Sequence, residues 1–357
     1  MAIWALGIVL FVVVIGGKNG GVVTAGSGAG GGFPAIYSFG DDNSDTGESA
    51  AAVDNLILPN GQTFFGKPSG RFCDGRLIID FIAEHLGLPL LSAYLDSYGS
   101  NFSHGANFAM GGTHENLEYS LAGQVFQFIQ FKSRTTALYN QLNDQSQISL
   151  SLSLSLSHWY QINMILMHDL FYEGASFFLI HNVGPVGCFP HSVKFCQKWF
   201  HQGCELDQNG CVKFIDETVQ EFNRLLKEEV SKARAKYPKA TFTYVDLYAA
   251  KHNLITQAKN LGFDEAFNYC CGAMVPLKTG GFTIIGCGRR EDNLAGNNAD
   301  SYERANLTGP VCKDPSKYII WDATHFTEAA NRIVAKIIAN GSHSDPPVSI
   351  TQACHKH

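Results

Sequence analysis

The chain has 357 residues, of which 45% are hydrophobic and 16% charged, with a formal net charge of −6. That length allows a sizeable core, and the apolar share excludes a disordered chain. The negative balance, with no basic cluster anywhere, excludes nucleic acid and anionic membrane surfaces as expected partners.

Residues 3–15 form an apolar run of 13 residues, short of the about 20 needed to cross a bilayer. Small residues follow, up to Ala25. Residues 1–25 therefore read as a signal peptide, and a secreted chain with no stable membrane anchor is expected. Residues 16–32 are Gly-rich and unpatterned, a leader rather than a folded element.

A short apolar and aromatic run at 35–39 reads as a buried strand, followed by a turn rich in Asp, Asn and Gly. Leu77, Ile78, Phe81, Ile82 and His85 recur at helical spacing, which predicts an amphipathic helix over 75–87. Strands are expected at 176–181, 241–245 and 318–321, with helices over about 215–236 and 327–339. Strands alternating with helices imply an α/β fold around a parallel sheet, with sites beyond the carboxyl ends of its strands. Residues 149–157 alternate Ser and Leu without a break. Period two is a strand pattern, but one pair repeated so strictly is low complexity. A CT dinucleotide repeat also encodes this run, so it reads equally as retained non-coding sequence or a misassigned exon.

Ten cysteines fit an oxidising compartment: Cys73, Cys188, Cys196, Cys204, Cys211, Cys270, Cys271, Cys287, Cys312 and Cys354. They crowd between 188 and 312, where disulfides are expected, and the adjacent Cys270 and Cys271 are expected to pair with others. No C-x-x-C or H-E-x-x-H spacing points to a metal. Sequons at Asn101, Asn306 and Asn340 agree with export.

Phe39-Gly40-Asp41-Asp42-Asn43-Ser44-Asp45-Thr46-Gly47 resembles F-G-D-S-x-x-D-T-G, the first block of plant GDSL esterase/lipases, with Asp42 where that block has its serine. Trp321-Asp322-Ala323-Thr324-His325 resembles the last block, W-D-x-x-H. Between them, Pro68-Ser69-Gly70-Arg71-Phe72-Cys73-Asp74-Gly75-Arg76 is similar to S-G-R-F-S-D-G-R. Gly105-Ala106-Asn107-Phe108-Ala109-Met110-Gly111-Gly112 is similar to G-x-N-F-A-x-x-G, and His181-Asn182-Val183-Gly184-Pro185-Val186-Gly187-Cys188 to H-N-x-G-P-x-G-C. The resemblance is to early-nodulin-type esterases in particular.

It implies one SGNH-hydrolase-like domain over 34–354, a three-layer α/β/α sandwich with a mostly parallel sheet, with an irregular or truncated segment at about 113–175. It implies cofactor-free hydrolysis of carboxylic esters, with a small-molecule substrate such as an acyl ester or acetylated glycan, in the apoplast or cell wall. Asp42 takes the nucleophile position, Asp322 and His325 the acid–base pair. The oxyanion donors would be the amide at 42, the amide of Gly112 and an Asn of a third block, G-x-N-D. That block is not found. Asn143-Asp144 follows Gln141 and Leu142, with no Gly, and reads as a polar turn.

Asp42 changes the chemistry. A carboxylate attacking an acyl carbon gives an anhydride, whereas attack on an alkyl carbon gives an ester that a His-activated water then cleaves. An Asp42–His325–Asp322 set thus suits epoxide or halide displacement better than ester cleavage. Ser44, two residues on, points elsewhere on a tight turn. Asp41, Asp42 and Asp45 crowd that turn and are expected to raise one another's pKa values. The alternatives are an ester hydrolase of low activity, a non-catalytic relative binding a glycan or acyl ester, and a damaged version of the gene.

Overall fold

The protein is described by a computed structural model covering residues 11–16, 35–52, 56–111, 120–143, 159–199, 203–276, 282–288 and 309–353. Its strands are β1 (Phe11–Gly16), β2 (Ile36–Phe39), β3 (Gly105–Asn107), β4 (Ala175–His181), β5 (Thr241–Val245), β6 (Glu265–Tyr269), β7 (Ala273–Pro276), β8 (Phe282–Ile285), β9 (Tyr318–Ile320) and β10 (Ser344–Asp345). The α-helices are α1 (Glu48–Ala52), α2 (Ile78–His85), α3 (Leu121–Asn143), α4 (Trp159–Tyr172), α5 (Pro190–Trp199), α6 (Lys213–Lys236), α7 (Leu247–Thr256), α8 (Glu328–Asn340) and α9 (Ile350–Ala353).

The main sheet has the order β10-β5-β4-β1-β2-β3. The pairs β2/β3 and β4/β5 are parallel. Antiparallel ladders occur where β10 joins the edge and where β1 lies between β2 and β4. Residues 11–16, part of the run read as a leader, are thus the link between the two parallel halves. No helix among the described residues is long and apolar enough to cross a membrane.

Alternate side chains of β4 enter two apolar clusters. Phe177 and Leu179 join Ile36, Val245 and the buried faces of α2, α7 and α8. Phe178 and Ile180 join Phe39, Phe242 and residues of α3, α4 and α6. This is the two-residue period of a strand covered on both faces.

The strands expected near 35–39, 176–181 and 241–245 all form, as do the two long-range helices, α6 and α8. The strand expected at 318–321 forms as β9, but it pairs with β6 in a separate two-stranded sheet, not the main one. α2 begins at Ile78 because Gly75 and Arg76 are committed to Glu328; a Cβ on Gly75 would sit 1.9 Å from its Oε2. The Ser-Leu run lies outside the described residues.

Disulfides join Cys188 to Cys211, Cys196 to Cys204, Cys270 to Cys312 and Cys271 to Cys287. The expected crowding in the second half, and the separate partners of Cys270 and Cys271, hold. Cys73 is a buried free thiol, and Cys354 lies outside the described residues. Asn101 and Asn340 are exposed, and Asn306 lies outside.

Candidate active site

β2 ends at Phe39, and the acidic turn follows at its carboxyl end. Gln124 of α3 clamps that end: its Oε1 accepts from Gly40 N at 2.9 Å and its Nε2 donates to Gly40 O at 2.8 Å. The turn is held from below by Asn107, whose Nδ2 donates to Ser44 O at 2.6 Å and to Thr46 Oγ1 at 3.0 Å. Asp45 is fully buried and accepts four backbone amides, from Gly47, Glu48, Ser49 and Gly111. It serves the start of α1, and is a structural carboxylate.

The last block forms the opposite wall. Asp322 Oδ1 accepts from the amides of Thr324 and His325, both at 2.8 Å, closing a tight loop between β9 and α8. Thr327 then caps α8 through its side chain. His325 Nδ1 lies 2.6 Å from Asp322 Oδ2, so the acid orients the ring and selects its tautomer. On the other side, His325 Nε2 lies 2.9 Å from Asp42 Oδ2. It is an ion-pair contact, since that nitrogen makes no well-angled hydrogen bond. Two residues about 280 positions from Asp42 are therefore brought to it across the mouth of the sheet.

The third motif braces this loop. Phe72 stacks on the His325 ring at 5.3 Å. Arg71 pairs bidentately with Asp80, at 2.8 and 2.7 Å. Arg76 reaches the buried Glu328 at the start of α8 at 3.0 Å, and Asp74 accepts the Glu328 amide at 2.8 Å. Trp321 is wholly buried and donates its indole N–H to Asn60 at 2.9 Å.

The electrostatics follow from burial and charge. Burial alone would lower the His325 pKa, but the charges of Asp322 and then Asp42 overcome it, so the ring is held well above its usual range. Asp322 is held low: His325 and the backbone donors outweigh a burial that opposes them. Burial, and after it the Asp42 charge, pushes the Asp41 carboxyl up. Burial is the first cause at Asp45 too. The expected like-charge repulsion in the acidic turn is thus secondary to desolvation. Lys251 of α7 is buried with its ammonium 4.3 Å from the Phe326 ring centre. Burial lowers its pKa, while Asp41 and Asp42 pull it back.

Asp42, Asp322 and His325 come together, with the ring between the two carboxylates. Gly112 lies outside the described residues. Gly111, its neighbour, sits beside Asp42, with 3.5 Å from an added Cβ to Asp42 Cβ. Its own amide is taken by Asp45 and Ser49. Asn143 ends α3, and Asp144 lies outside the described residues. Ser44 is buried. Lys251, Gln124 and the stacking role of Phe72 were not found in the sequence. Gln124 and Lys251 sit in ordinary helical patterns, and nothing local marks them as facing a turn elsewhere in the chain.

A turn of carboxylates at the end of a sheet strand, faced by an Asp-oriented His on a loop before a helix, defines an α/β protein with a hydrolase-type acid–imidazole site. A model of the GDSL-like lipase/acylhydrolase family matches residues 36–150 and 156–338. This chain belongs to that family. It is 38% identical to "GDSL esterase/lipase ACHE" of Zea mays, over 92% of this chain and 91% of that protein. It is 36% identical to "GDSL esterase/lipase ENOD8" of Medicago truncatula, over 91% and 90%. It is also 36% identical to "Alpha-L-fucosidase 3" of Arabidopsis thaliana, over 87% and 91%. The family match breaks within the Ser-Leu run.

Proposed function

We propose that this chain keeps the cleft of a secreted carboxylic ester hydrolase, with its Asp322–His325 pair intact, and that Asp42 holds ester turnover far below that of a serine site. The carrying observation is that His325 stands between two carboxylates, at 2.6 and 2.9 Å. Two such charges favour the protonated ring, and a protonated ring is no base. Asp42 itself gives only an anhydride with an acyl substrate. The substrate class is a small acyl ester or acetylated glycan, taken from the relatives named as esterases. The three-layer sandwich is supported by the two apolar clusters on either face of β4. Export, with residues 1–25 as leader, is supported by the four disulfides.

The test is hydrolysis of p-nitrophenyl acetate by the purified chain and by Asp42→Ser. Loss of a triad serine costs about 10⁶ in turnover, and one missing side-chain oxyanion donor about 10²–10³. Asp42→Ser is therefore expected to raise the rate by about 10³ or more while staying below a complete site. Equal rates in the two proteins would overturn the proposal.

A second reading has its own support. The alignment with the maize relative runs over 379 positions, more than the whole chain holds. The alignment therefore opens gaps in this chain, and the unmatched residues 151–155 fall inside the Ser-Leu run, which supports a truncated segment there. On this reading a damaged version of the gene would account for the third block not being found.

A further inference from the structure

We propose that Asp42 is a covalent nucleophile toward alkyl epoxides, with His325 and Asp322 completing an Asp–His–Asp relay that converts an epoxide and water into a vicinal diol. The inference does not depend on ester turnover. It rests on how the two oxygens of Asp42 are held. Oδ2 faces His325 Nε2 at 2.9 Å, and Oδ1 accepts from Asn43 Nδ2 at 3.0 Å. The Asp42 side chain is 35% exposed, against 8% for His325, so the carboxylate is the reachable member of the pair.

Two steps follow. In the first, Asp42 Oδ2 attacks a ring carbon of the epoxide. The new bond is an alkyl ester, the ring C–O bond breaks, and its electron pair goes to the oxygen, which takes the proton from His325 Nε2. A halide would need no proton and would need donors of its own, whereas Trp321 Nε1, a buried indole donor beside this loop, already serves Asn60. A leaving oxygen suits a ring whose two facing carboxylates, at 2.6 and 2.9 Å, favour its protonated form.

The second step uses a change made by the first. Esterified Asp42 carries no charge, so one of the two carboxylates that keep His325 protonated is gone. The neutral ring then takes a proton from water, and the hydroxide attacks Cγ of Asp42. Asn43 Nδ2 faces Oδ1, where the negative charge of that intermediate develops. The Cγ–O(alkyl) bond breaks, the alkoxide takes the proton of the acid just formed, and Asp42 and protonated His325 are restored. Only water is consumed.

The experiment uses the full chain with styrene oxide as probe. Diol should form, and a single turnover in H₂¹⁸O should leave ¹⁸O in the Asp42 carboxylate and enzyme-derived ¹⁶O in the first diol. Asp42→Asn should lower the rate by about 10³ or more, as loss of a covalent nucleophile does. His325→Gln should accumulate an ester on the Asp42 peptide, heavier by one styrene oxide. Absence of diol, or ¹⁸O found in the diol and never in Asp42, overturns the inference. The labelling is read on the unaltered chain, so it stands even where a variant fails to fold.

Discussion

Asp42 sets a carboxylate 2.9 Å from the His325 ring, and its charge reaches that ring. With Asp322 on one nitrogen and Asp42 on the other, their charges hold the His325 pKa above its usual range against the opposing effect of burial. The sign is that of a raised histidine: the stabilisation it brings is complete below about 6.5, the ordinary imidazole value, and is lost as pH rises through the raised one. Asp42→Ser removes one of the two charges, so its ring should deprotonate at lower pH. Imidazole ¹⁵N shifts followed across pH measure this directly, and unchanged titration in the variant would contradict the assignment of Asp42 as a cause. The identity of the three residues was legible in two short motifs. The proton on the ring was not, because it depends on distances across about 280 residues of chain.

At the scale of elements, the stretch from Pro68 to Arg76 is a brace. It packs Phe72 on the ring and ties α8 down through Arg76–Glu328, a pair with 10% and 2% side-chain exposure. Removing one partner of a buried pair strands the other, at a cost of about 3–5 kcal/mol. Glu328→Leu is expected to lose that much in guanidinium unfolding, since the one carboxylate left to Arg76 among the described residues is the more exposed Glu84 at 3.2 Å. A loss below about 1 kcal/mol would show that the clamp is incidental. The periodicities in sequence located α2, α6 and α8 to within a few residues. They said nothing of this contact, because a charged pair 252 residues apart leaves no local pattern. The same limit moved β9 out of the main sheet: its apolar run fits any strand, and only packing chose β6 as its partner.

For the whole molecule the middle of the main sheet is β1. β1 joins β2 to β4 through antiparallel ladders on both sides. The proposed cleavage near Ala25 would remove it and leave two facing free edges, which invite self-association. A chain beginning at residue 26 is therefore expected to unfold at lower temperature than the full chain and to elute as larger species in size-exclusion chromatography. N-terminal sequencing of the exported protein should find a start just beyond Ala25; a start at Met1 would refute the leader. The family match also breaks at 151–155. Sequencing the transcript is expected to find coding sequence there that the chain lacks, and a transcript identical to the chain would exclude the damaged-gene reading.

Composition, cysteine usage and five short motifs were enough, with no structure, to determine the class of fold, the family and the three residues that meet, because each is written in local residue types and spacings. The tertiary structure alone decided that the acidic turn is governed by burial more than by mutual repulsion, that Lys251 and Gln124 belong to it, and that an N-terminal strand fills the centre of the sheet. Those depend on which distant surfaces exclude water from one another, and no local spacing encodes that.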